Sequence, residues 1–333
     1  VGEMDSPLIQ GDDISGELGS VVNETGLLAD AFSRLTGPED EDTVFWYEIP
    51  TNPQYPVRLY GAPIDVGYIL AETFYPKLEA AVFTSATLAV DEKFDFIAFR
   101  LGVEEDYRGE LYPSPFDMRR QLYIAVAEFT GTPKGDLARY TREVADLVQK
   151  LTRDSDAGTL ALFTSRRMLR EAYDVVKEPL ERDGWMVLGQ TLDGGQADLL
   201  ERFKLTRRSV LFGIDSFWEG IDVPGEALEQ LVIARLPFAV PTEPLNQARC
   251  EIIEEDGGNP FIEYSVPEAA LKLKQGIGRL IRTMDDVGVA VICDARVVRS
   301  RWGKMILNSL PVPAVSYKDY EHLAEDVRKF LRG

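Results

Sequence analysis

Apolar and polar positions alternate in a regular order over most of the chain. From about residue 121 onward, short apolar runs rich in β-branched residues are separated by amphipathic stretches of about three to five helical turns. This order is typical of a doubly wound, mostly parallel sheet with helices on both faces, an α/β fold. The predicted strands are 121–127, 158–163, 185–188, 209–212, 228–234 and 288–293, and the predicted helices are 137–152, 165–181, 196–205, 244–255, 268–282, 296–307 and 318–331.

The residues before this regular part predict an extension of helices and strands. Helical periodicity runs over 14–35 and is followed by an acidic break at 38–42. Strands are then expected over 43–49 and 57–60, a helix over 65–75, a buried strand over 79–83 and a helix over 94–101. A Pro-rich connection over 112–117 leads into the regular part.

Composition limits the class of protein. With 333 residues, 45% hydrophobic and 28% charged, the chain has the length for one large or two ordinary α/β domains. It has no apolar run of about eighteen residues and no signal-peptide pattern, so we expect no membrane partner. Cys250 and Cys293 are isolated and read as reduced thiols, which favours a cytoplasmic location. Because Val1 replaces the usual Met, we expect a piece of a longer protein.

The formal charge of −20 argues against a nonspecific polyanion binder. Such proteins carry a basic surface that releases counterions from phosphates. Contacts with nucleic acid or nucleotide must then be local and made by a few residues.

One predicted helix carries the strongest candidate chemistry. On a helix over 268–282, the apolar residues Leu273, Ile277, Leu280 and Ile281 share one face, and the opposite face presents Gln275, Gly278, Arg279 and Arg282. A guanidinium reaches two phosphate oxygens at once and stays charged. The alternative is a solvated face with Arg282 paired to Asp285 or Asp286.

Polar clusters follow several predicted strands, where ligands of such sheets bind. The clusters lie at 84–87, 164–167, 215–225 and 275–282. Ser165 is as well suited to capping the next helix as to binding. Trp218 stands in a loop beside acidic and glycine residues, where it could offer an aromatic surface to DNA.

Six segments together resemble the DinG/XPD branch of superfamily 2 helicases, in that family's order and roughly its spacing. They are Phe83-Thr84-Ser85-Ala86-Thr87-Leu88, Ser114-Pro115-Phe116-Asp117, Leu162-Phe163-Thr164-Ser165, Phe217-Trp218-Glu219-Gly220-Ile221-Asp222-Val223-Pro224-Gly225, Arg235-Leu236-Pro237-Phe238 and Gln275-Gly276-Ile277-Gly278-Arg279-Leu280-Ile281-Arg282.

The resemblance implies the C-terminal portion of a DNA-translocating motor with two RecA-like lobes and ATP between them. Residues 113–333 would be the second RecA-like lobe, 41–112 a remnant of the first lobe, and 1–40 the tail of an arch-like helical insertion. The implied partners are single-stranded DNA, ATP and the missing N-terminal helicase lobe.

The resemblance also implies roles for individual residues. Arg282 would be the arginine finger, with Arg279 and Gln275 beside it facing the γ-phosphate, a use that agrees with the chemistry of a fixed guanidinium. The remaining roles are nucleotide contact by Glu219, Gly220, Asp222 and Gly278, DNA-backbone contact by Thr164, Ser165 and Arg166, and coupling of hydrolysis to movement by Ser85, Ala86 and Thr87.

Three parts of the family's machinery are missing from the sequence. It contains no Gly-x-x-x-x-Gly-Lys-Ser/Thr, no Asp-Glu-x-His after an apolar strand, and no set of four clustered cysteines for an iron–sulfur cluster. ATP with Mg would therefore be held mainly by the absent first lobe. We expect no metal ligands in this chain and no activity from it alone.

Two other functions stay open from the sequence. One is a catalytically silent RecA-like module for protein interaction, which the negative charge would suit. The other is an unrelated phosphotransferase or glycosyl-handling enzyme that uses Asp215, Glu219 and Asp222 as acid and base, although no phosphate cradle accompanies these residues.

Overall fold

A parallel sheet organises residues 118–332 in the computed structural model. The structure describes residues 11–37, 40–50, 52–104, 107–133, 135–214, 217–218, 223 and 225–332. Within these residues the sheet has seven strands in the order β5-β6-β4-β7-β8-β3-β9, and every neighbouring pair is parallel. The strands are β3 (Leu122–Ala127), β4 (Thr159–Leu162), β5 (Met186–Gly189), β6 (Ser209–Gly213), β7 (Gln230–Ile233), β8 (Gly288–Ile292) and β9 (Ala314–Tyr317).

Helices cover both faces of this sheet, so the predicted doubly wound fold is confirmed. They are α4 (Met118–Gln121), α5 (Leu137–Ser155), α6 (Arg166–Arg182), α7 (Gln196–Leu205), α8 (Pro244–Glu255), α9 (Val266–Ile277), α10 (Arg296–Arg299), α11 (Gly303–Asn308) and α12 (Tyr320–Arg332). The core on one face includes Phe203 of α7, Leu273 of α9 and Ile306 of α11. The core on the other face includes Val148 of α5, Val176 of α6 and Val327 of α12. Strands covered on both sides must be apolar throughout, which is why the sequence predicted them clearly.

The residues before the sheet form the predicted extension. It consists of α1 (Gly11–Thr36), an antiparallel hairpin of β1 (Thr43–Glu48) and β2 (Arg58–Pro63), α2 (Val66–Thr73) and α3 (Asp95–Leu101). Asp65 caps α2 by accepting a hydrogen bond from the Tyr68 N–H at 3.1 Å. The hairpin contacts α8, which connects the extension to the sheet.

The structure differs from the prediction at residues 79–83, at residues 296–307 and at β9. Residues 79–83 were expected to form a buried strand, but they form no strand and Val82 is 89% exposed. An apolar run becomes a buried strand only when neighbouring strands pair with it, and no described strand does so. The helix expected over 296–307 is divided into α10 and α11. Strand β9 was not predicted, because it is short, partly exposed and directly preceded by Pro313.

Among the described residues, every helix is too short or too polar to cross a lipid bilayer.

Candidate nucleotide and nucleic-acid site

The helix that carries the strongest candidate chemistry ends earlier than predicted. Helix α9 stops at Ile277, and the Gly278 N–H closes its last turn on the Lys274 carbonyl oxygen at 2.9 Å. The chain then turns so that Leu280 and Ile281 are buried, while the Asp286 carboxylate accepts hydrogen bonds at 2.8 Å from the backbone N–H groups of Arg282 and of the next residue. Arg279 and Arg282 therefore lie in the turn after α9 and not on the helix itself.

Arg279 ties this turn to the loop that follows β6. Its guanidinium donates to the Phe217 carbonyl oxygen at 2.9 Å and to the Trp218 carbonyl oxygen. Phe217 and Trp218 are both buried, so these two carbonyl groups need internal donors. One role of Arg279 is thus to hold the loop in place.

Trp218 belongs to the core. Its side chain is 1% exposed, and its indole N–H donates to the Phe163 carbonyl oxygen at 3.2 Å. The ring packs on α9 at Gly276, where a Cβ atom would lie 3.2 Å from two ring carbons. The expectation that Trp218 offers an aromatic surface to DNA is therefore wrong, and the residue instead fixes the loop against the helix.

Gln275 connects α9 to the extension. Its amide donates to the Thr87 hydroxyl at 3.2 Å, and Thr87 in turn bonds to Ser85 through its backbone N–H at 3.2 Å. Ala86 is exposed between the two hydroxyl residues. The predicted coupling segment and the predicted nucleotide-facing helix are thus in direct contact.

Two further nucleotide candidates, Gly278 and Arg282, lie around the end of α9. Gly278 is exposed, and Arg282 is half-buried, with its Nε 3.4 Å from the Arg279 carbonyl oxygen. The Asp286 carboxylate bonds to the backbone of Arg282, which departs from the side-chain pairing considered above. Glu219, Gly220 and Asp222 lie outside the described residues, as does Asp215.

The three candidates for nucleic-acid contact begin α6. Ser165 is the N-cap, and its hydroxyl accepts a hydrogen bond from the Met168 N–H at 3.2 Å, so the capping role considered for it is present. Thr164 is half-buried, whereas Ser165 and Arg166 are exposed. Surface remains on all three residues for a further contact.

One nucleic-acid candidate, Thr164, and one nucleotide candidate, Gln275, line the same cavity. Strands β6 and β7 flank β4, so the loops that leave these three strands meet at the carboxyl edge of the sheet. A cavity of about 760 Å³ opens there and is lined by Thr164, Trp218 and Gln275, and also by residues of α2, α3 and α8. Residues that are far apart in the sequence thus line one ligand-sized space.

A second cavity, of about 860 Å³, lies beside the coupling segment. It is lined by Ser85, Ala86 and Lys274, and burial lowers the pKa of the Lys274 ammonium. The sequence analysis assigned no role to Lys274. Its position directly after Leu273, beside the apolar face of the helix, offered little signal that it would be partly desolvated.

The described residues include no group of three or more His, Cys, Asp or Glu side chains that could hold a metal ion. Groups at the end of α9 that could contact a nucleotide include the amide of Gln275, the backbone at Gly278 and the guanidinium of Arg282. Such groups can meet phosphate oxygens by charge and hydrogen bonding.

Comparison with known proteins identifies a family model and relatives that this chain resembles. Residues 148–312 match a family model described as the helicase C-terminal domain. The chain is 34% identical over 286 residues to the 3′-5′ exonuclease DinG of Bacillus subtilis, covering 83% of this chain and 30% of that protein. It is 35% identical over 275 residues to the ATP-dependent DNA helicase YoaA of Escherichia coli, covering 83% of this chain and 42% of that protein. The chain thus spans less than half of the length of either relative.

Solved structures of XPD share the fold. An apo XPD structure superposes with a TM-score of 0.58 at 18% identity, over 78% of this chain and 53% of that chain. A structure of the XPD helicase gives a TM-score of 0.55 at 19% identity, over 78% of this chain and 46% of that chain. The sheet and its helices therefore have the RecA-like fold that the sequence predicted.

Proposed function

Because the chain belongs to the DinG/XPD-like branch of superfamily 2 helicases, with a helicase C-terminal domain at residues 148–312, we propose that it acts as the second motor lobe of an ATP-dependent DNA helicase. In this proposal the lobe closes one side of an ATP cleft and contacts the backbone of single-stranded DNA. ATP with Mg is held mainly by a first lobe that carries the P-loop.

The hydrogen bond between Gln275 and Thr87 is the observation that carries the proposal. A motor must transmit the state of the nucleotide to the groups that move, and this contact joins the end of α9 to the segment containing Ser85 and Ala86. In the proposed cleft, Gln275 and Arg279 face the nucleotide phosphates and Arg282 is the arginine finger. Charge that develops on the transferring phosphoryl group would then be met by a guanidinium on the short turn after α9.

The loop after β6 forms the second wall of the proposed cleft. Glu219, Gly220 and Asp222 belong to it, and the described residues on either side, Trp218 and Val223, are buried.

Thr164, Ser165 and Arg166 are proposed to contact the DNA backbone. They lie at the start of a 17-residue helix, where backbone N–H groups and the helix dipole favour an anion. The net charge of −20 restricts such contacts to a few phosphates, so we expect weak binding with a shallow dependence on salt.

The proposed domain layout agrees with where apolar side chains are exposed. Residues 1–40 are assigned to an arch-like insertion, 41–112 to the first lobe and 113–333 to the second lobe. Val22 of α1 is 70% exposed, and Val82 and Tyr112 are 89% and 85% exposed. Apolar surface of this kind normally lies against other protein, and the first lobe is the proposed cover.

A silent interaction module is the second candidate, and one observation favours it. Because Arg279 holds the carbonyl groups of Phe217 and Trp218, its presence has a structural explanation that needs no nucleotide. Mutation of Arg282, and not of Arg279, therefore distinguishes the two candidate functions.

Mutation of Arg282 tests the proposal in a protein that joins this lobe to its P-loop lobe. We expect Arg282→Ala to lower the rate of ATP hydrolysis about a thousandfold or more, with ATP affinity nearly unchanged, because a finger acts mainly on charge in the transition state. Arg282→Lys should restore little, since an ammonium cannot span two oxygens. Arg182→Ala, which removes an exposed arginine from α6, is the matched control. Unchanged turnover in Arg282→Ala would exclude the finger and favour the silent module.

A further inference from the structure

Arg235 lies immediately beyond β7, beside the proposed DNA contacts. Strands β4 and β7 are paired with Leu162 opposite Ile233, and the Ala234 N–H donates to the Leu162 carbonyl oxygen at 2.9 Å. Thr164 and Arg235 are therefore each two residues past this pair, on neighbouring parallel strands. Neighbouring strands are about 4.8 Å apart, so the two residues leave the sheet side by side at its carboxyl edge.

The buried carboxylate that bonds to the backbone of the next residue, Leu236, is already used by another arginine. Asp294 is fully buried and accepts two hydrogen bonds from the Arg296 guanidinium, at 2.8 Å and 2.5 Å. The same carboxylate accepts from the backbone N–H groups of Arg296 at 3.2 Å and of Leu236 at 3.4 Å. A carboxylate has about four acceptor sites, so Asp294 has no capacity left for Arg235.

Arg235 is half-buried, and its guanidinium makes no hydrogen bond or ion pair with a described residue. Its charge is nevertheless close to the end of the sheet. The Tyr140 hydroxyl donates a hydrogen bond to the Ala234 carbonyl oxygen at 2.6 Å. Burial raises the pKa of this hydroxyl, whereas the positive charges of Arg296 and Arg235 lower it. A partly desolvated cation that forms no ion pair with the described residues is unfavourable, and an anionic ligand would offset that cost.

We propose that Arg235 binds a backbone phosphate of single-stranded DNA, next to the phosphate contacted by Thr164, Ser165 and Arg166. This inference rests on the proposed function and adds to it a contact from a different strand. The loop that follows Arg235 lines the same cavity as Thr164 through Pro237, Phe238, Ala239 and Val240. A strand crossing that cavity would pass over the ends of β4 and β7 in turn.

Binding of fluorescein-labelled dT20 to this 333-residue chain, followed by fluorescence anisotropy over a series of NaCl concentrations, tests the inference. A charge-assisted hydrogen bond contributes enough that we expect Arg235→Ala to weaken binding about tenfold at low salt. The slope of log K against log salt should become shallower by about 0.7, the value for one phosphate of a single strand. Arg235→Lys should keep the slope and recover part of the affinity, and dA20 should give the same changes as dT20.

The control variant is Arg182→Ala, which removes the same charge from the exposed far end of α6 and should bind dT20 within twofold of the unmodified chain. Melting temperature and circular dichroism are measured for each variant. If Arg235→Ala does not fold, Arg235→Gln replaces it and the same loss of slope is required.

The possible results separate this inference from the proposed function. Binding within twofold and an unchanged slope for Arg235→Ala, together with weaker binding by Thr164→Val and Arg166→Ala, would overturn the Arg235 contact and leave the proposed function standing. No binding of dT20 by the unmodified chain would overturn both. Loss of affinity for ATP but not for dT20 in Arg235→Ala would also overturn the inference, because the phosphate bound would then belong to a nucleotide.

Discussion

The bond network of Arg279 allows one effect on stability to be worked out from the structure. Arg279→Ala removes two charge-assisted hydrogen bonds to the carbonyl groups of Phe217 and Trp218. Hydrogen bonds that involve a charged group contribute about 1.5–3 kcal/mol each. Because the two share one half-buried side chain and their contributions are not additive, we expect a loss of about 2–4 kcal/mol in the free energy of unfolding. Arg279→Lys should recover at most about half, since one ammonium cannot span both carbonyl oxygens.

Urea unfolding of the chain, followed by tryptophan fluorescence, measures this change. Trp218, one of four tryptophans, is buried against Gly276, so its part of the emission should change when the loop is released. The matched control is Arg182→Ala, whose exposed pair with Glu178 should contribute under about 1 kcal/mol. A loss under about 0.5 kcal/mol for Arg279→Ala, comparable to a neutral surface substitution, would refute the bonding role of Arg279. In a two-lobe protein, nucleotide affinity should fall as well, because the released loop lines the proposed cleft.

Two further predictions concern the chain by itself. We expect the purified chain to show no DNA-stimulated ATP hydrolysis, because phosphoryl transfer needs a P-loop and a metal-holding acid, and turnover that survives Arg282→Ala would contradict this. The second concerns Asp193. Burial raises the pKa of Asp193, but hydrogen bonds from the Tyr173 hydroxyl and the Gly189 N–H, together with Lys177, hold the pKa below its ordinary value of 3.8. A depressed pKa in the folded state stabilises the fold above pH 3.8, and that stability is lost as the pH falls through the folded-state value. Asp193→Asn should therefore flatten the fall in melting temperature below this pH, and an unchanged acid profile would contradict the role of Asp193.

The length of the helix before Arg282 shows where reasoning from local pattern fails. The spacing of Leu273, Ile277, Leu280 and Ile281 fits one helical face, so the sequence predicts a helix through Arg282. In the structure Leu280 and Ile281 are buried although the helix ends at Ile277. Leu280 and Ile281 would be apolar whether they were buried by a helix face or by a turn, so the pattern does not distinguish the two. The Asp286 carboxylate, which bonds to the backbone after the helix, decides between them.

Local pattern was enough for the central strands. Strands β4, β7 and β8 are buried along their whole length, and apart from Thr159 and Gln230, which begin β4 and β7, each appears in the sequence as a continuous apolar run. Residues 79–83 have the same pattern but are exposed. An apolar run favours a buried strand, but it does not show whether neighbouring strands are present to pair with it.

The sequence by itself determined most of the strands and helices, the candidate residues and the family resemblance, since each depends on residue types at short or fixed spacing. The tertiary structure decided what those residues contact. Gln275 and Thr87 are separated by 188 positions, and Arg279 is separated by about 60 positions from the carbonyl groups that it holds. Bonds to backbone atoms of distant loops leave no periodicity in the chain, because any residue type presents the same carbonyl group.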